Sequence, residues 1–162
     1  MKQLFIAYAN YDLWANQQIL DVVLSLTEAQ QKQEIQSSFP TIHKTCSHMW
    51  DANRIWWQRL QYDENIMGPT VNGNYTINEI VDNLLQQNRL WIDWINNASD
   101  ADLDAILHYK NMKGDPFSQP IREILLHLSN HNTYHRGQLV TMLRQVGIEK
   151  IPQTDYILYS RM

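Results

Sequence analysis

The sequence predicts an all-α protein, an up-and-down four-helix bundle with an irregular segment before the last long helix. Three observations carry that reading. Four long stretches place apolar residues at helical spacing. The Gly, Pro and Asn clusters fall between those stretches rather than inside them. Almost nothing reads as strand, and the chain has no internal repeat, so neither a solenoid nor a globin-like set of many short helices fits.

The first stretch runs from about Gln3 to Leu26, with no Gly or Pro and few β-branched residues. The second follows Ser37-Ser38-Phe39-Pro40. Thr41 can cap it, and Ile42, Cys46, Met49, Trp50, Trp56, Trp57 and Leu60 form its apolar stripe, interrupted by polar Asn53. Gly68-Pro69 and Asn72-Gly73-Asn74 end it. The third opens with Thr76-Ile77-Asn78-Glu79, a capping box in which hydroxyl and carboxylate satisfy free backbone N–H groups. Ile80, Leu84, Leu85, Trp91, Ile92 and Ile95 continue it. From about Ser99 to Gln119 the period fails, which predicts a loop with a short irregular hairpin around Gly114. The fourth helix starts near Ser118 or Gln119 with Pro120 in its first turn, and Gly147 ends it after Val146. The tail, from Ile151 to Met162, is apolar enough to pack back on the bundle.

The 162 residues fit a single domain, 1–162, that buries a real core. Apolar residues make up 44% of the chain, which argues against disorder. The net charge of −4 is spread evenly and no basic patch stands out, so nucleic acid is excluded as a partner. No apolar run approaches a membrane span, the start turns polar too early for a signal peptide, and the lone Cys46 suits a reducing compartment. A cytoplasmic protein is expected.

The chemistry sits in the fourth helix, in His127-Leu-Ser-Asn-His131-Asn-Thr-Tyr-His135-Arg136-Gly137-Gln138. On a wheel of about 100° per residue, His135 lies roughly 40° from the centre of the apolar face. His131 lies roughly 80° away and His127 roughly 120°. An i, i+4 pair puts two ring nitrogens on neighbouring turns, where they can share a small cation, and neutral imidazole suits Zn²⁺, Ni²⁺ and similar ions. Two ligands seldom suffice, and His48, mid-helix beside the apolar stripe of the second helix, is the best third donor. His43 is in an exposed first turn and His108 is in the irregular stretch. Spacing alone leaves a second reading open, in which the histidines are core groups bonded to Asn130, Asn132 or Tyr134. The pair lacks the glutamate of a zincin signature. Cys46 lies on an apolar face and reads as buried and inert. Asp100, Asp102 and Asp104 lack the Gly and Glu of a calcium loop and read as solvated.

The run from His131 to Leu139 resembles the H-x-x-x-H-R-G-Q signature of the DinB family of damage-inducible-like four-helix metalloproteins. Three more pieces agree. Tyr11, Trp14 and Asn16 resemble the family's first-helix Y-x-x-W-x-N pattern. His48 followed by Trp56-Trp57 resembles its second-helix histidine with a downstream aromatic. Pro152-Gln-Thr-Asp155-Tyr156 resembles its C-terminal segment. The resemblance implies a three-histidine site of His48, His131 and His135 that holds one divalent ion, Ni²⁺ or Zn²⁺, and it implies a homodimer. His127, Tyr134, Trp57 and Arg136 would line the pocket or sit behind the ligands, Arg136 having a structural ion pair as its alternative role. By the same resemblance, related families use low-molecular-weight thiols, so a metal-dependent thiol S-transferase or a hydrolase acting on a small molecule is expected. The alternative is a non-enzymatic, metal-stabilised dimeric module for binding or stress response.

Overall fold

A computed structural model describes residues 1–162. Helix α1 (Lys2–Leu24) buries Tyr11, Ala15, Ile19 and Val23, spaced by four, as an amphipathic helix must. It stops at Ser25 because Thr27 and Gln30 form a capping box that starts a separate short helix, α2 (Glu28–Lys32). Helix α3 (Ile42–Leu60) begins where the Thr41 hydroxyl accepts from the Lys44 N–H. The Thr76–Glu79 box opens α4 (Ile77–Asn97).

The segment expected to be a loop with a short irregular hairpin carries that hairpin as a regular strand pair, preceded by a short helix. Ser99 and Asp102 box the short α5 (Asp100–Asp104), so Asp100 and Asp102 stabilise a helix N-terminus. Strands β1 (Ile106–Lys110) and β2 (Pro116–Pro120) pair antiparallel, Ile106 opposite Pro120 and Lys110 opposite Pro116. Gly114, at φ 93°, turns the hairpin. Pairing continues to the Ile121 N–H, which donates to the Ala105 carbonyl. For that reason α6 (Ile121–Gln145) starts after Pro120 and not at Ser118. Gly147, at φ 91°, follows α6, and α7 (Tyr156–Tyr159) returns the tail to α1. There Tyr156 stacks on Tyr8, and Tyr11 Oη donates to the Thr154 carbonyl.

Side-chain pairs fix the directions of the four long helices. Lys2 bonds Asn96 and Asn16 bonds Asn88, so α1 and α4 run antiparallel. Thr45 meets Met142 and Trp56 meets His127, so α3 and α6 are antiparallel. Asn53 meets Asn88 and Trp57 meets Trp91, so α3 and α4 are parallel. The order is therefore up, down, down, up, with α1 beside α4 and α6, and α3 beside the same two. Hydrophobic period carries no direction, so this order is invisible to it. Parallel α3 and α4 require residues 61–76 to run back along α3. They do so tightly, because Thr70 bonds Asp51 through both its N–H and its hydroxyl, and a Cβ on Gly68 would come within 2.7 Å of the Asp51 side chain.

Two apolar clusters fill the bundle. One gathers Ile19, Leu20, Met49, Leu84, Leu139 and Leu143; the other gathers Phe5, Trp91, Ile95, Leu103, Ile124 and Leu128. Between them lies a buried polar belt. Asn16 donates to Asn88 at 2.8 Å, Asn88 to Asn53 at 3.4 Å, and Asn53 to Asn132 at 3.0 Å. Arg136 closes it onto Asp12 at 2.8 Å and Asn16 at 3.0 Å. Each long helix contributes, so the belt satisfies its own donors and fixes the rotation of all four. No helix is long and apolar enough to cross a membrane.

Candidate metal centre

His131 and His135 face α3 from successive turns of α6, and the antiparallel packing of α3 carries His48 to meet them. The Nε2 atoms converge: His48 to His131 at 3.0 Å and His135 to His131 at 3.1 Å. Each of the three rings offers a ligand atom within 4.8 Å of the others. Hydrogen bonds cannot satisfy this arrangement. An imidazole Nε2 has one lone pair or one N–H, so the His131 atom can serve one neighbour in the ring plane and not two. One cation between the three lone pairs satisfies all of them. Bonds of about 2.0–2.1 Å place ligand nitrogens about 3.3–3.4 Å apart in a tetrahedron and about 2.9 Å apart at an octahedral right angle. The observed spacings fall between these.

The surroundings keep the rings neutral. Burial, reinforced by neighbouring His135, holds His48 at a pKa of about 4. Burial, reinforced by His135, His48 and His127, holds His131 at about 3. Burial also lowers His135, opposed by its bond to Gln138. Neutral imidazole is the metal-binding form. His135 Nδ1 donates to Gln138 Oε1 at 2.8 Å, which fixes the tautomer that frees Nε2. Gln138 Nε2 in turn donates to Ser38 Oγ at 2.7 Å. Phe39 lies flat on His48, with ring centroids 4.1 Å apart, and tilts toward His135 at 5.8 Å. No Asp, Glu or Cys side chain joins the cluster. Cys46 is buried and its thiol is pushed up to about 12 by that burial, so it stays protonated.

The other residues singled out in the sequence take varied places. His127 stands one turn before His131, with ring centroids 5.7 Å apart, outside the three-nitrogen cluster. Tyr134 is mostly exposed, edge-on to His135 at 5.0 Å, with its hydroxyl 3.3 Å from Ser38 Oγ. Trp57 is turned away from the histidines and packs edge-on against Trp91 at 5.1 Å; Trp56, one residue and about 100° earlier, is the ring beside His127 at 5.4 Å. Arg136 takes its alternative role, a buried ion pair with Asp12.

Sequence reasoning missed Gln138, Phe39, Ser38 and the asparagine belt. Gln138 carried a signal, since it lies three residues after His135 on the same helix side. The Tyr11–Trp14–Asn16 pattern also gains a physical meaning. Asn16 joins the belt, Arg136 lies over the Tyr11 ring at 5.2 Å, and Trp14 packs on Tyr159 of the tail.

The family model described as the DinB family matches residues 1–162. Protein DinB of Bacillus subtilis (strain 168) is 32% identical over 161 residues, covering 94% of this chain and 91% of that protein. The crystal structure of a DinB-like protein from Bacillus cereus superposes with a TM-score of 0.71 at 24% identity, over 92% of this chain and 94% of that one. At that identity the likeness shows the fold alone.

Proposed function

The chain belongs to the DinB family, and from that premise we propose that it binds one divalent ion, Ni²⁺ or Zn²⁺, through His48, His131 and His135 and uses it as a metal-dependent enzyme. The observation that carries this reading is the convergence of three Nε2 atoms with no fourth His, Cys, Asp or Glu side chain among them. Structural zinc sites are closed by four protein ligands, whereas catalytic ones use three and keep a position open. A divalent ion held there supplies Lewis acidity and lowers the pKa of a water or thiol toward neutrality.

The chain's own residues then act around that position. Gln138 orients the His135 ring, and Phe39 covers His48 and keeps water from that side. A cleft of about 380 Å³ borders His48, lined by Phe39, His43, Lys44, Asp51 and Tyr75, with room for a small molecule. We assign the reaction to thiol S-transfer with a low-molecular-weight thiol, or to hydrolysis. The buried Cys46 leaves no protein thiol for the task, so the thiol comes with the substrate. A homodimer in the cytoplasm completes the reading, and light scattering should return about twice the 19.2 kDa chain mass.

A second reading has its own observation. The three ligands tie α3 to α6, so a bound ion would act as a cross-link and stabilise a non-enzymatic module. Assays of thiol transfer and of ester and amide hydrolysis on metal-loaded protein separate the two. Turnover that disappears in a metal-free His135→Ala variant supports the enzyme. Metal binding with no turnover across the panel supports the module.

A further inference from the structure

Three charged side chains are buried in this bundle: Asp12, Arg136 and Arg59. The first two pair with each other. Arg59 is only 6% exposed, forms no ion pair, and its Nε is buried without a hydrogen-bond partner. Its guanidinium is held between two rings, 4.4 Å from the Trp56 centroid and 4.9 Å from that of Tyr109. Those contacts use the π faces of the cation. Its five N–H donors lie in the guanidinium plane and remain unspent.

Burying an unpaired charge is costly, and native interiors nearly always supply a partner. Here the position that a partner would occupy is open. Arg59 lines a cleft of about 660 Å³ between the end of α3 and the β1–β2 hairpin, with Tyr109 and Phe117 stacked along one wall at 5.8 Å. The rim carries two acids, Asp63 and Glu64, against one lysine, Lys110, with His108 beside them, so the rim itself does not draw an anion in. Attraction for an anion would come from Arg59 itself.

We propose that this cleft is a binding site for a small-molecule oxyanion, a carboxylate or a phosphate, which Arg59 takes edge-on through two N–H donors. Tyr109 and Phe117 cover the apolar part of that molecule. The site is distinct from the three histidines, although Trp56 and His127 form a continuous aromatic path between Arg59 and His131. It stands whether or not a metal is bound.

The test titrates the whole protein, metal-free and metal-loaded, with inorganic phosphate and separately with acetate, against chloride at equal ionic strength. The readouts are tryptophan fluorescence, since Trp56 stacks on Arg59, and the NMR signal of the Arg59 Nε–H group. The expected result is saturation by phosphate or by acetate but not by chloride. It should be abolished in Arg59→Met, weakened more than about tenfold in the charge-keeping Arg59→Lys, and unchanged in His135→Ala. Saturation by phosphate alone identifies a phosphate ester as the ligand class, and by acetate alone a carboxylate. Three results overturn the proposal: no saturation by either anion, saturation that persists in folded Arg59→Met or at full strength in Arg59→Lys, and saturation lost in His135→Ala. The last would move the anion to the histidine centre.

Discussion

Replacing Asp12 by Ala should be among the most damaging single changes in this chain. Asp12 and Arg136 are both buried, and their charged atoms lie 2.8 Å apart. At an effective dielectric of about 20 the gross attraction at that distance is about 6 kcal/mol. The desolvation of both ions offsets most of that in the intact protein. Deleting one partner removes the attraction and leaves the other ion buried, a loss of about 3–5 kcal/mol. Arg136 keeps Asn16 Oδ1 at 3.0 Å and Thr133 Oγ1 at 2.9 Å, which places the expectation at the lower end. For a chain of this length about 3 kcal/mol lowers the melting temperature by roughly 9 °C. The assay is thermal and urea unfolding of metal-free protein followed by far-ultraviolet circular dichroism, so that metal linkage does not contribute. A double variant, Asp12→Leu with Arg136→Met, should recover at least half of the loss, because two apolar groups of similar size need no partner. A loss below about 1 kcal/mol for Asp12→Ala, the range of an exposed pair, would refute the argument. So would a double variant no better than the single one.

Two further outcomes follow from the histidine centre. His48 and His131 have folded pKa values of about 4 and about 3, below the unfolded value near 6.5, so below that pH the unfolded chain binds more protons. Metal-free stability should be full above about pH 6.5 and fall as the pH drops toward about 3, by at most about 2 kcal/mol per histidine at pH 5 and less after solvent screening. A urea midpoint equal or higher in acid would contradict this. Gln138→Ala should weaken metal affinity about 10–100-fold by freeing the His135 ring. Competition against a chromophoric chelator reads it, and unchanged affinity would remove Gln138 from the centre.

Much of the fold is legible in local signals. The Thr41 cap, the Thr76–Glu79 box and Gly147 each mark the helix boundary where the structure has one. The Thr27–Gln30 and Ser99–Asp102 boxes carry the same signal for α2 and α5. Both helices are only five residues long, too short for hydrophobic period to show. The hairpin is legible at its turn, around Gly114, but its strands are not. β1 buries only Leu107 and β2 buries no residue, and Pro at both ends of β2 reads as punctuation. The direction of α4 depends on where residues 61–76 travel, and that is decided by Asp51 and Gly68, a contact across the chain that no local pattern encodes. At the candidate site, His131 and His135 share a helix and their relation can be read from spacing. His48 comes from another helix, and its place depends on the antiparallel packing of α3 on α6. The asparagine belt is harder still, because a buried Asn is told from an exposed one only by the partner it finds.

The proposed divalent ion between His48, His131 and His135 is open to a direct measurement. Elemental mass spectrometry of protein purified without a histidine tag tests it directly, alongside His48→Ala and His135→Ala variants that keep the helical circular dichroism spectrum. About one nickel or zinc per chain is expected in the wild type, with most of it lost in either variant. A wild-type protein that holds no metal as purified and takes up neither added nickel nor added zinc would contradict the proposed site.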